Sequence, residues 1–388
     1  MKIGIKNARI VTATEVLDGY VCVISNGTID HIGRELPQAD KWIDANGGYL
    51  VPGFIDLHCH GGNGLEFMDA TVQEIARIAD FHLSHGTTTL LATTLAANDR
   101  ETKSALESIA KYKQACPTTC IEGVHLEGPW LNPLQCGAQN LAYMKRPDSD
   151  ELATLKERYP FVLRASVAPE LAGGMDFGNC GKSLGIVMSC AHTDADFKEA
   201  QQALENGYTL MTHLYSGMKG VTRKNAYRTA GAVEAGLYFD EYFVEIIADG
   251  KHLPEDLLRY IYKLKGADRI ALITDAIRAC GLPEGTETVI GSKKNGLPVV
   301  VEDGVAKLPT RDSFAGSAST FDVIYRTMAR AIGQDMVALS KMASLTPAKI
   351  MGWTDRGEIA IGKRADLLLL DEDLNIKQII TNKENRIS

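Results

Sequence analysis

The chain has no apolar run approaching the ~20 residues needed to span a bilayer, and its first ten residues alternate like a strand instead of forming the apolar core of a secretory leader. Neither a membrane partner nor a leader is expected. Basic residues are not in excess: 41 Lys and Arg stand against 49 Asp and Glu, a net charge of -8. Without a basic surplus to neutralise phosphates, a nucleic-acid partner is not expected either. The eight cysteines are scattered and form no CxxC pair. They read as reduced, buried small residues, with the cytoplasm as the expected location. There is no GxGxxG nucleotide fingerprint, no tandem repeat and no low-complexity segment. What remains is an ordinary globular composition, 45% apolar and 23% charged over 388 residues, long enough for a large core and more than one packed unit.

Residues 1–50 alternate in short segments, with Asn26-Gly27 as a strong hairpin signal. This predicts a small β unit. From residue 51 the pattern becomes apolar strand, loop and amphipathic helix, repeated. Strands are predicted at Phe54–His60, Thr87–Thr94, Cys120–Glu127, Val162–Val167, Gly185–His192, Tyr208–His213, Phe243–Ala248 and Ile270–Thr274. Helices are predicted at Thr71–His85, Asp99–Gln114, Asp150–Tyr159, Ala195–Asn206 and Leu257–Lys265. Such alternation points to a (β/α)8 barrel, with an open doubly wound sheet as the runner-up. A β insertion near 288–309 interrupts the last unit and can project toward the terminal β unit. Ser317–Gly333 and Met336–Gly352 read as helical, and the tail from Gly357 as β that returns to pair with residues 1–50. The expected division is 1–50 with 353–388 as one small domain, and 51–352 as the barrel.

His58-Cys59-His60 ends the first barrel strand. Side chains alternate along a strand, so His58 and His60 share a face and Cys59 points away to pack. Glu127, His192, His213 and Asp275 end later strands, and a barrel gathers such ends at one mouth. Glu127 and Asp275 also close apolar runs, where an unpaired carboxylate is costly. Together these six describe an open catalytic Zn²⁺, Fe²⁺ or Mn²⁺ site, and a bridging Glu127 would let two ions sit together.

The order Pro52-Gly53-Phe54-Ile55-Asp56-Leu57-His58-Cys59-His60, two later histidines and Thr274-Asp275-Ala276 resembles the amidohydrolase superfamily. The ending Gly357-Glu358-Ile359 through Asp366-Leu367 is similar too. Within that superfamily, His125-Leu126-Glu127-Gly128-Pro129-Trp130-Leu131-Asn132 resembles the signature of N-acetylglucosamine-6-phosphate deacetylases, as do Thr212-His213-Leu214-Tyr215, Ile247-Ala248-Asp249-Gly250-Lys251-His252 and Phe314-Ala315-Gly316-Ser317. The match spans essentially the whole chain. It implies an α/β architecture: a metal-dependent hydrolase-type TIM barrel plus a small β-sandwich domain built from both termini. It also implies deacetylation of an amino-sugar phosphate, a hydrolase acting on a linear amide. Glu127, His192 and His213 would hold the main metal, His58 and His60 a second. Zn²⁺ is the first expectation, with Fe²⁺, Mn²⁺ or Co²⁺ as alternatives. Asp275 would be the general acid and base, and His252 would contact the sugar and polarise the amide carbonyl. The implied substrate surface comprises Ala138, Gln139, Ser216, Gly217, Arg228, His252 and Phe314. Arg228 would hold the phosphate, often from a neighbouring subunit, which implies a homodimer.

Departures from the pattern concentrate around the sugar. Gly137-Ala138-Gln139 stands where the family reads Gly-Ala-His, Ser216-Gly217-Met218 where it reads Asn-Ala-Met, and Ala191-His192-Thr193 where it reads Gly-His-Ser. Gln139 donates and accepts hydrogen bonds but carries no charge. N-acetylgalactosamine 6-phosphate therefore stands beside N-acetylglucosamine 6-phosphate as a substrate, with another N-acyl or cyclic amide as a further alternative. A non-catalytic barrel of the same superfamily is the remaining class, although such proteins typically lose ligands that are present here. Lys219, Arg223 and Lys224 either help bind phosphate or form a solvated basic loop. Trp130 either shapes the sugar pocket or packs.

Overall fold

Asp56 and Thr274 clamp the first strand of a parallel barrel to the segment following its last. The Thr274 hydroxyl donates to Asp56 Oδ2 at 2.5 Å and its amide to Oδ1 at 3.2 Å. The computed structural model describes residues 1–383. Eight strands run parallel in chain order: Phe54–Cys59, Thr87–Thr93, Ile121–Glu127, Val162–Val167, Val187–Cys190, Tyr208–Met211, Phe243–Ile246 and Ile270–Leu272. The seam closes where the Asp275 amide donates to the His58 carbonyl at 2.9 Å and the His60 amide to the Ala276 carbonyl at 2.8 Å. This is the expected barrel.

Several strands stop one to two residues short of their predicted ends, and the reason bears on the site. His192, His213 and Asp275 follow their strands with φ of 42°, 30° and 49°. That is the left-handed region, costly for a side chain with a Cβ and typical of places where a fold holds functional groups.

Helices cover the outside. Thr71 and Asp196 cap Val72–Ser84 and Phe197–Glu205 through capping boxes with Glu74 and Glu199. The helix Gly174–Ser183 has no counterpart among the predicted helices, because its three glycines lower helix propensity. Two of them permit close packing: a Cβ on Gly178 would lie 2.3 Å from the Tyr208 ring, and one on Gly181 2.1 Å from Met188 Sδ. Met336–Gly352 is interrupted by a π turn, Lys341–Leu345. Pro347 lies two residues beyond and has no N–H to give to an α ladder.

Both chain ends meet in one seven-stranded sheet, ordered Ile376–Ile380, Leu367–Leu370, Tyr49–Pro52, Lys2–Val11, Val16–Ser25 and Thr28–Gly33, with Lys41–Asp44 also paired to Lys2–Val11. Ile5, Ile10, Ile24, Leu50, Leu367 and Leu369 form its own core. The span 353–388 expected for the terminal unit includes 384–388, which lie outside the described residues.

The β insertion folds as three antiparallel strands, Glu287–Ile290, Leu297–Glu302 and Val305–Lys307. It packs over the barrel mouth instead of toward the terminal sheet. Ile290, Val299 and Val301 share a cluster with Met68, Leu95 and Ile277. Buried Arg278 secures it, reaching the Gly291 carbonyl at 2.5 Å and Asp69 at 3.1 Å. Alternation alone could not show this, because the partner surface lies far away in sequence.

Candidate active site

The barrel mouth opens into a cavity of about 260 Å³ lined by His60, Glu127, His192, His213, His252 and Asp275. Ala138, Gln139, Ser216, Gly217 and Phe314 line it as well, so most predicted site residues meet there. His58 lies just beneath, fully buried.

Glu127 sits at the centre. Its Oε1 is 2.9 Å from His213 Nε2 and 3.3 Å from His192 Nε2. Its Oε2 is 3.3 Å from His60 Nε2 and 3.6 Å from His58 Nε2. Asp275 Oδ1 lies 3.3 Å from His58 Nε2 and 3.2 Å from His60 Nε2. The two rings of the HxH pair share a face, with Nε2 atoms 3.1 Å apart. Cys59 points the other way, its Sγ 3.2 Å from His82 Nε2.

Two groups of donor atoms, His58–Glu127–His213 and His58–His60–Asp275, each lie within 4.8 Å of one another and are buried. His192 joins the first through Glu127, and its Nδ1–H donates to the Gln135 carbonyl at 2.8 Å, which leaves Nε2 as a lone pair. Such a convergence of imidazole lone pairs and carboxylate oxygens fits a divalent cation. The electrostatics agree. Burial opposes charge on His58, but Glu127 and Asp275 outweigh it and hold that ring up at about 9. His60 is likewise held at about 10 against burial, by Asp275 and Glu127. Burial would raise both carboxylates, yet His58 leads the neighbours that keep them below their ordinary range. The cluster attracts positive charge.

His252 lines the same cavity. Its Nδ1–H donates to Asp249 Oδ2 at 2.7 Å, while Asp249 Oδ1 accepts the amides of Lys251 and His252 at 2.8 Å each. The imidazole packs against Phe314, ring centroids 4.8 Å apart. Gln139 donates from Nε2 to Glu127 Oε2 at 2.6 Å and accepts the Ala96 amide on Oε1 at 2.9 Å.

Five predicted candidates lie elsewhere. Arg228 is on an exposed hairpin, Thr222–Lys224 paired with Tyr227–Thr229, together with Arg223 and Lys224. Trp130 is buried beside Phe177, ring centroids 4.6 Å apart, and packs instead of facing the cavity. Lys219 pairs with Asp194 at 3.2 Å.

Sequence reading missed the support beneath the site. Arg164 and Glu245 form a fully buried ion pair, and Glu245 Oε2 lies 3.8 Å from His58 Nδ1. The signal was available: a carboxylate in Phe-Val-Glu-Ile and a guanidinium in Val-Leu-Arg-Ala each interrupt an apolar strand and need a partner. Asp249, Asp312 and Ser313 were missed too, the latter two on the cavity wall. They sit in loops, whose spatial neighbours leave no periodic trace.

Residues 49–387 match the amidohydrolase family. An N-acetylglucosamine-6-phosphate deacetylase of Lysinibacillus sphaericus is 31% identical over 379 residues, covering 97% of this chain and 95% of its own length. An N-acetylgalactosamine-6-phosphate deacetylase of Escherichia coli O157:H7 is 30% identical over 374 residues, 96% of each chain. The crystal structure of an N-acetylglucosamine-6-phosphate deacetylase from Pasteurella multocida superposes with a TM-score of 0.91 at 28% identity, covering 99% of both chains.

Proposed function

The chain belongs to the amidohydrolase family, and from that premise we propose that it hydrolyses the N-acetyl group of N-acetylglucosamine 6-phosphate to give glucosamine 6-phosphate and acetate. The observation that carries this reading is that Asp275, the His–Glu cluster and His252 line one cavity at the barrel mouth. Relatives of that activity cover nearly the whole chain.

Glu127, His192 and His213 would hold one divalent cation, and His58, His60 and Asp275 a second. Zn²⁺ is the first choice, and Fe²⁺, Mn²⁺ or Co²⁺ suit the same donors. When bound, the cation supplies Lewis acidity toward the amide carbonyl and the attacking water. Asp275, set in the mouth by its left-handed backbone, takes the water's proton on a carboxylate oxygen. It then returns that proton to the amide nitrogen, which leaves poorly unless protonated. Asp249 fixes the direction of His252 through Nδ1–H; Nε2 would accept from a sugar hydroxyl as a lone pair, and would donate to the carbonyl oxygen only as an imidazolium paired with Asp249. Phe314 backs that ring.

The cavity lining contains no lysine or arginine among the described residues. A phosphate in it would need a cation from outside, and Arg228 on its exposed hairpin is the candidate, delivered by a second subunit. A homodimer is therefore part of the proposal. Among the described residues no helix is long and apolar enough to cross a membrane. The cytoplasm is the proposed setting, since scattered cysteines without paired motifs suit a reducing compartment.

A second reading is N-acetylgalactosamine 6-phosphate, favoured by Ser216-Gly217 on the cavity wall and by the relative with that activity. Acetate release from both sugar phosphates and their unphosphorylated counterparts, with metal-loaded protein, decides between them. Turnover of one phosphorylated sugar well above its plain form supports deacetylation and names the hexosamine. No turnover on any, with metal bound, moves the activity to another amide.

A further inference from the structure

We propose that Gln139 is a positioning residue for the Glu127 carboxylate, setting which oxygen is offered to which side of the metal cluster, and not primarily a substrate contact. The inference rests on the metal-dependent reading above. Gln139 is 5% exposed, and its amide is committed at both ends. The Ala96 N–H can only donate, so the atom it meets at 2.9 Å is the amide oxygen, which fixes the orientation of the group. The nitrogen therefore faces Glu127 Oε2, at 2.6 Å. A single N–H remains for anything else.

The consequence lies in how Glu127 divides its oxygens. Oε2, which takes the amide hydrogen, is the one turned toward His58 and His60. Oε1 is left to His192 and His213, with no competing amide donor. A hydrogen bond to a charged acceptor is short and directional, and here it pins the carboxylate plane. Ala96 and Gln139 come from loops following adjacent barrel strands, Thr87–Thr93 and Ile121–Glu127, so the bond also holds two loops in register at the mouth. Ligating carboxylates depend on such outer partners for orientation and affinity. An uncharged residue that both donates and accepts does what a carboxylate or an apolar side chain there could not.

The test strips metal from the parent, Gln139→Met and Gln139→Asn, and measures Zn²⁺ affinity by competition with a chromophoric chelator. Melting temperatures of the metal-free proteins check the fold. Methionine keeps the length without a donor; asparagine keeps the amide but is too short to span Ala96 and Glu127. Should one variant fail to fold, the other carries the measurement. The inference expects Zn²⁺ affinity to fall roughly 10- to 100-fold in both, with KM at saturating metal unchanged. Variants that bind Zn²⁺ as the parent does, but raise KM, overturn it and make Gln139 a substrate contact. A parent that binds no Zn²⁺ overturns the metal-dependent reading itself, and the inference with it.

Discussion

Arg164 and Glu245 face each other across the interior of the barrel, both fully buried, with Arg164 Nη2 2.7 Å from Glu245 Oε2. The same guanidinium reaches the Leu57 carbonyl at 3.0 Å and the Thr212 hydroxyl at 2.9 Å, beside the strands that carry His58 and His213. Burial would raise Glu245, but Arg164 and His58 hold its carboxyl below the ordinary range. Removing one partner strands a charge in the barrel. Glu245→Leu alone should therefore cost about 3–5 kcal/mol, whereas the double change Arg164→Met with Glu245→Leu should recover much of it. Equilibrium denaturation of the three proteins checks this; equal losses in single and double variants would contradict it.

Asp275→Asn preserves shape and removes the proton acceptor. Mass spectrometry is expected to show the ion of Glu127, His192 and His213 retained and the second, which loses the Asp275 carboxylate, weakened. Turnover is expected to drop by about 10²–10⁴. A near-normal rate would remove Asp275 from proton transfer.

Asp249 and His252 should behave as one unit, since the carboxylate orients the ring through a 2.7 Å bond. In a double-mutant cycle with Asp249→Asn and His252→Asn, kcat/KM should show a coupling of roughly 0.5–3 kcal/mol. Strict additivity would mean that the two act separately.

His82 supplies the pH prediction. Burial is the main cause that pushes its ring down to about 4, and its Nε2 lies 2.8 Å from the Gly61 carbonyl. Its folded value lies below the unfolded one, ~6.5. The unfolded chain therefore binds more protons between these values. The stabilisation is fully present above ~6.5 and is lost as pH falls toward 4. Between pH 7 and 5 the parent should lose on the order of 2 kcal/mol relative to His82→Gln, whose amide still donates to Gly61. Urea unfolding at several pH values reads this directly, and parallel pH profiles would refute it.

Much of the site was legible because its residues end strands. Apolar runs closing on His58, Glu127 or Asp275 mark a barrel mouth, where a chain can afford charged groups only in company. The left-handed backbone at His192, His213 and Asp275 was not legible, since φ there is imposed by packing and not by residue type. The helix Gly174–Ser183 was hidden by glycines whose purpose, close approach to Tyr208 and Met188, lies in another part of the chain.

By itself the sequence determined the alternation of strand and helix, the return of both ends to one sheet, and the set of ligand-type side chains. Those follow from local periodicity and from the cost of isolated carboxylates in apolar runs. Only the tertiary structure decided where the β insertion lies, that Arg164 neutralises Glu245 beneath the His–Glu cluster, that Asp249 steers His252, and that Gln139 is spent on Glu127. Each is a pairing of side chains distant in the chain or set by loop geometry, and its energy exists only once the barrel has closed around it.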